Sequence, residues 1–175
     1  MAETATFNAP RIVTREKSSP KIEHKLWSPE IKGIDEKART VEAVISALAV
    51  DREGEVLLPR GIVYAEYMKN PVVLFNHANR DLPVAQCLDI SVSDTEVVAL
   101  MKFAGLAQLH EKAETVFRLV RDRFLRSFSV GFQTLKETRE KLLPTQTSRS
   151  VISWALLEFS VVAMPALPEA LVRMT

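Results

Sequence analysis

Hydrophobic positions divide the 175-residue chain into a patternless start and a dense remainder. Residues 1–23 mix Thr, Lys, Glu and Pro without a period, which predicts a flexible arm, with a single folded domain over residues 24–175. After the arm come short runs rich in β-branched residues. They are TVEAVISALAV (40–50), PVVLFNH (71–77), QCLDISVSDTEVVALMKFA (86–104), LRSFSVGFQTLKETR (125–139) and SVISWALLEFSVVAMP (150–165). Such runs predict strands. Between the third and fourth, Leu106, Leu109, Ala113, Val116, Phe117, Val120 and Phe124 recur at three- and four-residue steps with charges opposite them, which predicts an amphipathic helix. A shorter helix is expected over 60–69. The fold class is therefore α+β: a strand-dominated antiparallel β-barrel or curved sheet with a few flanking helices.

Composition narrows the function classes. Twenty-three basic against 22 acidic residues leave a net charge of +1, with no basic run that would mark a nucleic-acid footprint. No apolar stretch reaches the length of a membrane span or a signal-peptide core. One cysteine, Cys87, excludes an internal disulfide and reads as a small buried hydrophobe. In HEKAE (110–114), Glu114 stands where a zinc-binding helix would carry its second histidine, and there is no paired Cys cluster or phosphate-cradling Gly loop. No cofactor or metal is implied.

Candidate chemistry centres on Ser129, set between Phe128 and Val130 and followed by Gly131. Ser127 stands where a nucleophile elbow needs glycine, so the α/β-hydrolase arrangement is excluded. A serine nucleophile needs an imidazole within hydrogen-bond reach and a third group to fix its tautomer. Of three histidines, His24 borders the arm and His110 falls on the charged side of the predicted helix, where it reads as a solvated surface residue. His77 follows the apolar VVLFN and precedes the polar ANRD, at a strand end facing a cleft or loop. Alternation places Glu158 on the strand face of Trp154, Leu156 and Val162, where a carboxylate needs a partner. An ion pair with an arginine near 118–126 satisfies it as well as a catalytic role does. Taken one at a time, the serine and the histidine also fit structural roles.

The order of segments resembles the caudovirus prohead serine proteases. The carrying blocks are AVDREGEVLLPRGI (49–62), VVLFNHANRDLPVA (72–85), LRSFSVGF (125–132) and LLEFSVVAMPALPEA (156–170). This chain departs from the pattern at Ala85, at PALP (165–168) and at Glu53 and Glu55, none of them a catalytic position. The resemblance implies a fold shared with the herpesvirus assembly proteases and a serine endopeptidase with His77 as base, Ser129 as nucleophile and Glu158 as third member. It implies an oxyanion hole made by backbone N–H groups or by one of Arg118, Arg121, Arg123 and Arg126. Partners would be the major capsid protein or its scaffolding arm, a scaffolding protein and the protease itself, cut within residues 1–23. The setting would be the assembling prohead in the host cytoplasm, with homo-oligomer formation left open. Because only residues 171–175 follow the last block, no fused scaffold is expected. The rival readings are an inactive capsid-assembly or scaffold component with the same fold, and an unrelated β-barrel binding module.

Overall fold

The computed structural model describes residues 22–27, 31–108 and 110–163. Ten strands form one sheet among them: β1 Glu23–Trp27, β2 Ile31–Asp35, β3 Thr40–Ala47, β4 Val56–Leu57, β5 Ile62–Val63, β6 Val72–Phe75, β7 Ala85–Val92, β8 Glu96–Phe103, β9 Ser127–Thr138 and β10 Ser150–Val162. The main order is β1-β9-β10-β6-β7-β8-β3-β2, and the sheet curls into a half-barrel. The expected antiparallel sheet is a mixed one. β4, β5 and β6 lie one after another along a single side of β10, all parallel to it, while β9 pairs antiparallel along its other side.

Three further expectations are corrected. Residues 86–104 form a hairpin rather than one strand, because the Ser93 hydroxyl accepts the N–H groups of Thr95 and Glu96 and turns the chain. Residues 60–69 form no α-helix: two 3-10 turns, Pro59–Gly61 and Tyr67–Lys69, flank β5, whose β-branched pair joins β10 instead. The helix α1 covers only Glu111–Arg121. It starts at His110, whose Nδ1 accepts the Ala113 N–H while its Nε2–H donates to the Pro83 carbonyl at 3.0 Å. That histidine is a helix cap, not a solvated surface group. At the other end Arg123 takes a positive φ of 65°, and Leu106 and Phe124 stay exposed outside the helix.

Ala113, Val116, Phe117 and Val120 form the buried stripe of α1, and Phe117 meets Phe103 of β8 at 5.5 Å between ring centroids. The core continues through Phe128, Val130 and Phe132 of β9 and Leu156, Phe159 and Val161 of β10. Trp154 closes it edge-on against Phe132, its indole N–H donating to the Leu58 carbonyl. Cys87 is buried as expected.

Candidate functional site

Strand registration sets two faces on β9 and β10. Phe128, Val130 and Phe132 pair with Val161, Phe159 and Leu156 and face the core. Ser127, Ser129 and Gly131 pair with Val162, Ser160 and Glu158 and occupy the opposite face. Strict alternation would have placed Glu158 beside Leu156. A β-bulge at Leu157 inserts one residue between them and moves the carboxylate to the face of Ser129. Gly131, directly across, provides its space: a Cβ there would stand 3.0 Å from Cδ and 3.1 Å from Cγ of Glu158 and would overlap Oε1.

His77 reaches this face through the parallel pairing of β6 with β10. β6 ends beside Val161, and the next two residues, Asn76 and His77, turn with φ of 51° and 56°. Left-handed backbone is costly for non-glycine residues, though Asn and His tolerate it better than most. Here the turn is held by three hydrogen bonds to β10 and its end. Asn76 N–H donates to the Val161 carbonyl, His77 N–H donates to the Ser160 hydroxyl at 3.1 Å, and Asn76 Oδ1 accepts from Ala163 N–H. The imidazole then donates from Nδ1 to Glu158 Oε1 at 2.7 Å. Ser160 Oγ–H donates to the other carboxylate oxygen at 2.8 Å. His77 Nε2 is buried with no hydrogen-bond partner. With the proton on Nδ1, Nε2 carries a lone pair, the form a base requires.

Ser129 is fully buried and donates to the Lys25 carbonyl on β1 at 3.1 Å. It shares the face of Glu158 and Ser160, but no hydrogen bond joins it to His77. β1 covers it, anchored by the Lys25 ammonium, which is buried between Asp51 and Glu55. Asp51 spends its other oxygen on the N–H groups of Glu53 and Glu55, fixing the turn that presents both carboxylates. Burial alone would raise the Glu55 carboxyl, but hydrogen bonds from Arg149 and Lys25 outweigh it and hold the group below its ordinary value.

His24, set aside from the sequence because it borders the arm, belongs to the cluster. It pairs across β1–β9 with Gly131, approaches Glu158 Oε1 at 3.5 Å and packs on the His77 ring at 4.1 Å between centroids. Burial and the neighbouring His77 lower its pKa, against an opposing pull from Glu158. The spacing gave no signal for it, since 53 residues separate it from His77 and a whole sheet edge is needed to bring the two together. Glu158 therefore answers to two imidazoles, not to the arginines of 118–126. Arg118 is paired with Glu114, Arg121 with Asp122 and Glu36, and Arg123 donates to the Ile31 carbonyl. A cavity of about 780 Å³ lined by Arg39, Phe103, Gly105 and Glu114 lies against α1 and shares no residue with this cluster.

Residues 49–175, well over half the chain, match the profile of the caudovirus prohead serine proteases. The chain belongs to that family. It is similar to the prohead protease of Escherichia phage T5, 25% identical over 144 residues that cover 77% of this chain and 64% of the relative. It is also similar to a capsid polyprotein of Pseudomonas phage PAJU2, 24% identical over 144 residues covering 81% of this chain and 20% of that protein. The chain thus spans about a fifth of one curated relative and just under two thirds of the other. Among solved structures, the bacteriophage T4 capsid assembly protease superposes with a TM-score of 0.59 at 14% identity, covering 85% of this chain and all of that one. That likeness establishes a shared fold.

Proposed function

We propose that this prohead protease family member is a serine endopeptidase of phage head maturation, acting through Ser129, His77 and Glu158. The carrying observation is the His77 Nδ1 to Glu158 Oε1 hydrogen bond of 2.7 Å, which leaves Nε2 buried and unpartnered, with Glu158 on the sheet face that bears Ser129. In the reaction, the Ser129 hydroxyl turns from the Lys25 carbonyl and gives its proton to His77 Nε2 as Oγ attacks a peptide carbonyl carbon. Glu158 holds the ring and stabilises the imidazolium. The C–N bond breaks, His77 returns the proton to the leaving amine, and water attacks the acyl-enzyme by the same route. Substrates and partners follow from the family: the major capsid protein or its scaffolding arm, a scaffolding protein, and the protease itself within residues 1–23, of which residues 1–21 lie outside the described part. Host cytoplasm, the interior of the assembling prohead and a fold kinship with herpesvirus assembly proteases belong to the same proposal.

The test is covalent labelling by a fluorophosphonate with the adduct mapped by mass spectrometry. An adduct on Ser129 is expected in the wild type, and none in Ser129→Ala or His77→Ala. Labelling that persists at the wild-type rate without His77 would refute the dyad. One observation favours a second reading, an inactive capsid-assembly component: the Ser129 hydroxyl is wholly buried and already satisfied by β1. Under that reading Ser129 stays unlabelled, and coexpressed capsid protein keeps its full mass.

A further inference from the structure

We propose that His24, His77 and Glu158 form a binding site for a divalent transition-metal ion of the zinc class, and that the bound ion silences the protease. Three different strands or strand ends supply the donors, and one ligand atom from each lies within 4.8 Å of the others. Glu158 Oε1 is 2.7 Å from Nδ1 of His77 and 3.5 Å from Nδ1 of His24. Tetrahedral zinc with bonds of about 2.0–2.2 Å to nitrogen and oxygen sets neighbouring donors about 3.3 Å apart. The two observed separations bracket that value, and the third, between the two imidazole donors, is no more than 4.8 Å. Two imidazoles and one carboxylate, with positions left for water, form a donor set suited to zinc or cobalt and ill suited to calcium or magnesium. Outer-sphere support is in place as well. Ser160 donates to Glu158 Oε2, which leaves Oε1 for the ion. The His24 side chain is 43% exposed and gives the ion a way in.

The neighbouring acidic group of Asp51, Glu53 and Glu55 does not compete, because the Lys25 ammonium already sits on Asp51 and Glu55. Silencing follows from proton bookkeeping at His77, and this half of the inference rests on the proposed roles of His77 and Ser129. An ion on Nδ1 uses that nitrogen's lone pair, so the ring proton moves from Nδ1 to Nε2. No proton is released, and the lone pair that would accept the Ser129 proton is gone.

Zinc alone, titrated by calorimetry into the full metal-stripped chain, tests the site. One ion per chain is expected, with cobalt giving the visible bands of a low-coordinate nitrogen and oxygen site. His24→Ala, at an exposed position, should weaken zinc at least tenfold while the fold persists by circular dichroism. Saturating zinc should slow fluorophosphonate labelling of Ser129 at least tenfold, with recovery on adding EDTA. Absent one-to-one binding, or unchanged affinity in His24→Ala, overturns the site. Zinc bound through His24 with labelling undiminished overturns the silencing. If zinc binds through His24 but Ser129 never labels, the metal site stands and the proteolytic reading, with the silencing that depends on it, falls.

Discussion

Replacing Gly131 by alanine tests the site from its least conspicuous member. The added Cβ would stand 3.0 Å from Cδ and 3.1 Å from Cγ of Glu158 and overlap Oε1, the oxygen bonded to His77. Comfortable carbon contacts need about 3.5–4.0 Å, so the carboxylate must withdraw by roughly 1 Å. A displacement of about 1 Å in a catalytic group costs on the order of 10²-fold, or about 2.7 kcal/mol of barrier. Complete loss of a triad carboxylate, about 10⁴-fold, is the ceiling. Stability should move less. Alanine gains about 0.5–1 kcal/mol over glycine in a strand, offsetting about a third of a lost charged hydrogen bond of about 1.5–3 kcal/mol. The second-order rate of fluorophosphonate labelling at Ser129, followed by intact mass, reads the first effect, and urea unfolding reads the second. Adding Glu158→Ala to Gly131→Ala should cost nothing beyond Glu158→Ala alone, since both act on one group. A folded Gly131→Ala protein that labels at the wild-type rate would refute the claim that Glu158 orients His77.

Three other outcomes are expected. Ser160→Ala removes both the donor to Glu158 and the acceptor of the His77 N–H; labelling should slow about tenfold, one hydrogen bond's worth of about 1.4 kcal/mol, and an unchanged rate would show that β10 does not help set the histidine. Lys25→Met leaves two carboxylates buried with less compensation and should lower unfolding stability by about 3–5 kcal/mol; a wild-type urea midpoint would mean that β1 is held by other contacts. The Glu55 carboxyl lies below its ordinary value of 4.5 in the fold, so its contribution is present above that pH and lost as the pH falls through the lower folded value. Urea midpoints measured from neutral to acid pH should therefore drop in the wild type and flatten in Glu55→Gln, and parallel curves would remove Glu55 as a source of acid sensitivity.

Local pattern carried a good part of this protein. β-Branched runs determined where β3, β6, β9 and β10 lie, and the three- and four-residue recurrence determined the buried stripe of α1, because each signal is the imprint of one element's own geometry on one environment. The blocks around His77, Ser129 and Glu158 likewise stood out as sequence. What the residues could not encode locally was which strand meets which. Mixed pairing along β10, the bulge that carries Glu158 to the face of Ser129, and the place of His24 beside His77 all depend on hydrogen-bond register between segments distant in the chain. A single inserted residue reverses the face of every residue that follows. Helix ends and the 60–69 segment failed for a related reason: a cap at His110 and a neighbour at Trp154 outweighed intrinsic preference. Gly131 shows the division most clearly, since its sequence neighbours only suggest a strand, while the carboxylate that requires its missing side chain arrives from the adjacent strand.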